Sequence, residues 1–295
     1  MIYITGDTHR DFDRIFDFCE ENGTAKDDVL IILGDAGINY WLDITDQDLK
    51  WKLSALEVTL FCVHGNHEER PFLIDGYQEK TWRDGIVYYE EEFPNLLFAK
   101  DGEIYDLDGM KTVVIGGAYS VDKYARIYGN APWFESEQPS EEIKTYVERH
   151  LEQAGWRVDC VLTHAAPERY EPTWAFIPGL NQAAVDKTTE KWLDSIERRL
   201  SYSVWYCGHY HVDSQEGPVR VMYQDFEELG GMTNHIHDDG AMELLLSIPP
   251  DRRREMDAIL QKSKEEFRRN GVAGMMTLEE FEKKMERKLK EYGII

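Results

Sequence analysis

Five short polar clusters are spaced along the chain, and each consists of groups that bind metal ions or carry protons. They are Gly6-Asp7-Thr8-His9, Gly34-Asp35, Gly65-Asn66-His67-Glu68, Thr163-His164 and Gly208-His209-Tyr210-His211. A single Asp-x-His pair means little, because a lone Asp or His at a strand end is usually a hydrogen-bonded turn residue. Five clusters in order, each directly after an apolar run, are a far more specific signal. Their donors are carboxylate, imidazole and amide oxygen without thiolate, a set that suits manganese, iron, zinc or cobalt better than calcium or magnesium.

The runs that must position these clusters are β-rich and about as long as strands buried on both faces. They are Ile2 to Thr5, Val29 to Leu33, Leu60 to Val63, Thr112 to Ile115, Cys160 to Thr163 and Val204 to Cys207. Helical spacing recurs between them, at Ile15, Phe16 and Cys19, at Leu49, Leu53 and Leu56, at Ile143, Tyr146, Val147 and Leu151, and at Trp192, Leu193, Ile196 and Leu200. This alternation predicts a layered α/β fold with mixed central sheets flanked by helices. In such folds the loops past the carboxyl ends of neighbouring strands converge on one crevice. The glycines of the clusters read as sharp turns at those ends. Between Gly85 and Leu107 shorter runs broken by turn residues predict inserted antiparallel strands, and Asp108-Gly109 a hairpin.

The ordered clusters closely resemble the signature of the calcineurin-like metallophosphoesterase superfamily, D-x-H, G-D, G-N-H-D/E, H and G-H-x-H, over roughly Met1 to Leu229. The resemblance implies that Asp7, His9 and His211 bind one metal, that Asn66, His164 and His209 bind a second, and that Asp35 bridges both. It also implies that His67 faces the phosphate as proton donor or charge stabiliser, and that Glu68 orients His67. The implied activity is hydrolysis of phosphate mono- or diesters by a hydroxide held between two divalent transition-metal ions. Manganese is expected first, with iron, zinc, cobalt or nickel as alternatives. Two cations about 3.5 to 4 Å apart lower the pKa of a shared water and clamp the attacking and departing oxygens.

The chain departs from the family pattern in two places. Asp35 is followed by Ala36-Gly37-Ile38-Asn39, where many members carry a further Asp and protein Ser/Thr phosphatases an Asp-Arg-Gly run. Asn39 reads as a turn residue, with a hydrogen bond to a metal ligand as the alternative. Arg10 stands where glycine is common; it can grip a phosphate oxygen bidentately or pair with Asp11 or Asp13. Asn66, Lys123 and Arg126 are further candidates for substrate contact, with Tyr124 and Trp133 as aromatic neighbours in the aperiodic stretch from Ser120 to Ser140, which otherwise reads as a packed surface excursion. His64 is expected to be buried, His150 solvated, and His235, His237, Asp238 and Asp239 part of a polar loop.

The 33 basic against 57 acidic residues give a formal charge of -24, which repels polyanions, so a long nucleic-acid track is not expected. The partner expected instead is a small phosphorylated substrate. Residues 251–295 carry +2 and the rest -26, which marks the tail as a separate object. Helical spacing at Met256, Ile259, Leu260 and Phe267, then a capping box at Thr277 and Glu280 before Phe281, Met285 and Leu289, predicts a charged helical hairpin over 251–295 after a catalytic domain over 1–245. That hairpin offers a surface for self-association or for a protein partner. The four cysteines form no C-x-x-C pair and read as reduced core thiols. No run approaches the roughly 20 apolar residues of a membrane span, and the first residues lead straight into a cluster, so a cytoplasmic location is expected.

Two further functional classes stand beside the phosphoesterase. A Ser/Thr protein phosphatase lacks its Asp-Arg-Gly run here, and a metal-bound scaffold working through the tail would not need His67.

Overall fold

The computed structural model describes residues 1–177 and 181–230. The expected hairpin over 251–295 and the His235, His237, Asp238 and Asp239 loop lie outside these residues.

Two mixed sheets carry the fold. The first contains β1 (Ile2–Thr5), β2 (Val29–Ile32), β3 (Thr59–Cys62), β4 (Gln78–Trp82), β5 (Gly85–Tyr89) and β6 (Leu96–Ala99). The second contains β7 (Ile104–Leu107), β8 (Met110–Ile115), β9 (Cys160–Thr163), β10 (Val204–Cys207), β11 (Ser214–Glu216) and β12 (Val219–Val221). A short strand, β13 (Glu227–Glu228), closes the β1 edge of the first sheet, whose order is β13-β1-β2-β3-β6-β5-β4, while the second runs β11-β12-β10-β9-β8-β7. β1, β2, β3 and β6 are parallel, as are β8, β9 and β10.

Strand side chains alternate between faces, and here both faces are buried. Ile2, Ile4, Val29, Ile31 and Phe61 of the first sheet share one core with Val114, Cys160, Leu162 and Tyr206 of the second, so the sheets pack face to face. The opposite side chains of the first sheet, Leu30, Ile32 and Leu60, meet Ile15 and Cys19 of α1 (Asp13–Asn22) and Leu53 of α2 (Ile44–Ser54). A short α3 (Lys123–Tyr128) lies in the aperiodic stretch. Val161 and Trp205 of the second sheet pack on Val147 and Leu151 of α4 (Glu141–Gln153) and on Leu193 and Ile196 of α5 (Thr188–Glu197). Helices therefore flank both sheets. The crossovers return the parallel strands in one direction, which places their carboxyl ends, and the five polar clusters, along common edges.

The Asp108-Gly109 hairpin is present, joining β7 to β8 with Leu107 opposite Met110. All four cysteines are free and buried. His150 differs from expectation: its ring packs 4.1 Å from that of Tyr146 and its Nδ1 lies 3.1 Å from the Gly102 carbonyl, because α4 turns that face toward the β6–β7 connection. Among the described residues no helix is long and apolar enough to cross a membrane.

Candidate metal centre

The loops after β1, β2, β3, β9 and β10 meet where the two sheets abut. Asp7 and Asp35 are buried at the bottom, and His9 and His211 lie above them. The His9 and His211 Nε2 atoms are 2.8 Å apart. Asp7 Oδ2 is 3.3 Å from His211 Nε2 and 3.7 Å from His9 Nε2, and Asp35 Oδ2 is 3.7 Å from His9 Nε2. On the other side His164 Nε2 is 2.9 Å from Asn66 Oδ1 and 3.5 Å from Asp35 Oδ1. The His209 ring packs 4.9 Å from that of His164. Donor atoms form three overlapping groups, Asp7 with His9 and His211, Asp7 with Asp35 and His164, and Asp35 with His9 and His67, each within 4.8 Å. Asp35 is thus common to two groups and Asp7 to two.

Close approach of backbone makes this possible. A Cβ on Gly65 would sit 2.0 Å from Asp35 Oδ1, and one on Gly208 would sit 2.3 Å from Asp7 Oδ1. Neither of these two has a positive φ, so their value here is the missing side chain, whereas Gly34, with φ of 92°, makes the turn read from the sequence. Left-handed conformations fall also on His9, Arg10, Asp35, His209 and His211, with φ between 47° and 70°.

The donor set fits metal ions on its own chemistry. Asp7 Oδ2 is buried and has no hydrogen-bond partner among the described residues, a costly state for a carboxylate without a cation. His164 Nδ1 donates to the Leu33 carbonyl at 2.8 Å. In its neutral form it therefore aims the lone pair of Nε2 at the oxygens of Asn66 and Asp35, an arrangement that calls for positive charge between them. The same field acts on protons. Burial disfavours the His164 imidazolium, yet Asp35 and Asp7 outweigh this and lift its pKa to about 9. Burial also opposes ionisation of Asp35, but His164, His67 and His9 hold its pKa well below the usual carboxylate range. His209, desolvated and next to His164, falls to about 3 and stays a neutral donor.

The structure brings together all seven residues expected at the metals and adds His67 at the rim, edge-on to His9 at 4.9 Å between ring centres. Glu68 does not orient His67. Its Oε1 instead accepts from the Gly65 backbone N–H at 3.1 Å, and burial beside Asp35 raises its pKa to about 8, so it braces the β3 loop. The group facing His67 Nε2 is Asp122, at 3.7 Å. Asn39 is buried and accepts from the Tyr77 hydroxyl at 2.8 Å, and His64 is buried as expected.

The three cations expected at the substrate are engaged elsewhere. Arg10 donates to the Gly37 carbonyl at 2.7 Å and pairs with Asp46, neither with Asp11 nor with Asp13. Lys123 Nζ lies 3.7 Å over the Trp133 ring. Arg126 is buried, donating to Ser120 Oγ and to the Pro132 carbonyl. Ser120 Oγ also accepts from Asn66 Nδ2 at 2.9 Å, and Arg126 Nε lies 3.2 Å from Asp122 Oδ1, so Arg126 acts on the centre through the residues that hold Asn66 and face His67. Ser120 and Asp122 went unnoticed because the aperiodic stretch gives no face on which to place them. Ser120→Ala is expected to lower metal affinity about 10- to 100-fold, as loss of an outer hydrogen bond typically does. Metal content after dialysis against graded chelator measures this, and an unchanged content would show that Asn66 needs no brace.

Comparison with known proteins gives a consistent placement. Residues 1–213 match the family described as calcineurin-like phosphoesterase. Similar solved structures include TT1561 of Thermus thermophilus, with 12% identity over 75% of this chain and 87% of that one at a TM-score of 0.42. Another is a phosphopantetheinyl hydrolase from Mycobacterium tuberculosis, with 14% identity over 75% and 87% at 0.40. A third is the calcineurin-like phosphoesterase YfkN from Bacillus subtilis, with 13% identity over 76% and 81% at 0.33. No curated protein sequence matches the chain. A match across residues 1–213 spans every cluster from Asp7 to His211, and on it the chain belongs to the calcineurin-like phosphoesterase family.

Proposed function

We propose that this protein is a dinuclear metal-dependent hydrolase of phosphate mono- or diesters, with Asp7, His9 and His211 at one metal, Asn66, His164 and His209 at the other, and Asp35 between them. The observation that carries this reading is the pair of buried carboxylates, Asp7 and Asp35, within 4.8 Å of donors on opposite sides of one centre. When bound, two divalent cations supply an activated water and neutralise the phosphate. Manganese is the first expectation and iron, zinc, cobalt or nickel the alternatives, as imidazole and carboxylate together suit these ions.

The chain's own contribution is orientation and proton supply. The His67 backbone N–H donates to Asp35 Oδ1 at 2.8 Å, which ties the rim residue to the carboxylate below it. Burial, Arg126 and His9 together lower the His67 pKa, against the opposing pull of Asp35 and Asp122. Asp122, 3.7 Å from Nε2, orients the ring that delivers a proton to the departing oxygen. No observation favours a protein phosphatase or a scaffold over this reading.

The test is a panel of Mn, Fe, Zn, Co and Ni against p-nitrophenyl phosphate and bis-p-nitrophenyl phosphate. Turnover with at least one transition metal, abolished by chelation, is expected. Stoichiometric metal binding without turnover of any ester would sink the catalytic reading.

A further inference from the structure

The cavity above the metal centre, about 280 Å³, extends from His9, Asp35 and His67 to a wall that none of the five clusters contributes except through Tyr210 and the histidines. The wall comes from the segment between β9 and α5 and is mainly apolar, formed by Phe176, Ile177 and Val185 with Tyr210 behind them. The Phe176 and Tyr210 rings lie 6.3 Å apart and 19° from parallel. Ile177 is 60% exposed, an apolar surface facing a site built for anions.

Two charged features bound this wall. Lys187 is already committed, with Nζ 2.5 Å from Glu171 Oε2 and 4.8 Å from the Phe176 ring centre. Glu190, in the first turn of α5, is only 3% exposed, lines the cavity, and has an Oε2 with no hydrogen-bond partner among the described residues. Such an atom costs free energy unless a ligand supplies a donor. Burial, with Glu171 nearby and Lys187 opposing, raises the Glu190 pKa to about 7. The wall thus offers apolar contact, the Gln182 amide, the carboxylates of Glu171 and Glu190, and no uncommitted cation among the described residues.

Resting on the phosphoesterase reading, we infer that Phe176, Ile177, Val185 and Glu190 form a subsite for the ester's organic group, which is compact, apolar and neutral or cationic. An engineered cavity of about 150 Å³ holds benzene, so a space of about 280 Å³ suits a phosphate and one ring or short alkyl chain. Glu190 disfavours a further anionic group on the ester.

The subsite is tested by calorimetric titration of the Mn-loaded protein at pH 8 with unreactive phosphonates: methyl, ethyl, propyl, butyl, 3-aminopropyl and 3-carboxypropyl. Affinity is expected to rise about threefold per methylene from methyl to butyl. The ammonium compound is expected to bind at least about tenfold more tightly than the carboxylate, as a charged hydrogen bond implies. Phe176→Ala should flatten the chain-length dependence. The isosteric Glu190→Gln should remove the preference for the ammonium compound over the carboxylate. Affinity independent of chain length, or an ammonium preference that survives Glu190→Gln, would overturn the subsite alone. Failure of every phosphonate to bind the metal-loaded protein would overturn both the subsite and the phosphoesterase reading.

Discussion

Asp35→Asn is expected to abolish turnover and to lower affinity for both metals by more than about 100-fold, the upper range for loss of a merely outer partner. The carboxylate is buried, shares separate donor groups with His164 and with His9 and His67, and accepts from the His67 backbone N–H. An amide keeps the shape and one acceptor oxygen but removes the charge that balances two cations. Asp7 is then the one carboxylate left among the grouped imidazoles. Elemental analysis after gel filtration, alongside activity, reads the result. Two metals per chain in an active Asp35→Asn protein would remove Asp35 from the bridging position.

His67→Ala is expected to separate chemistry from metal binding. Turnover should fall about 10²- to 10⁴-fold, the range for loss of a general acid, while metal content stays near that of the parent. The loss should be largest for esters of weakly acidic alcohols, whose leaving oxygen needs the proton most, and smallest for p-nitrophenyl esters. His67 also stands within 4.8 Å of His9 and Asp35 donor atoms, so metal content is a real discriminator here. An equal loss across leaving groups would argue against proton delivery, and loss of one metal would make His67 a ligand.

Much of the scaffold was legible because strands buried on both faces leave uninterrupted apolar runs. Ile2–Thr5, Cys160–Thr163 and Val204–Cys207 have the bounds read from the sequence. Which sheet a strand joins was not legible. Leu96–Ala99 pairs in parallel with β3, whereas Ile104–Leu107 begins the second sheet, and both are apolar runs between turns. The buried polar groups divide in the same way. Asp7, Asp35 and His164 could be singled out because each lies just past a strand end. Arg126 and Glu68 could not be placed, since composition does not reveal whether a charged side chain faces solvent, a ligand or a backbone amide. Glu190 left a usable trace: it lies three residues before Leu193 on the buried stripe of α5, where a solvent-facing carboxylate would not fall.

The left-handed backbone at His9, His209 and His211 has a consequence for how this protein changes over generations. Such a conformation costs a residue with a Cβ about 1 kcal/mol or more. Against the net stability of a domain, about 5 to 15 kcal/mol, three such histidines are a standing burden borne at the reactive edge. Descendants released from selection for turnover are expected to drift toward glycine or asparagine at these positions and to melt at higher temperature as they do. Retention of all three histidines among diverging descendants would then record selection on chemistry, because folding alone disfavours them.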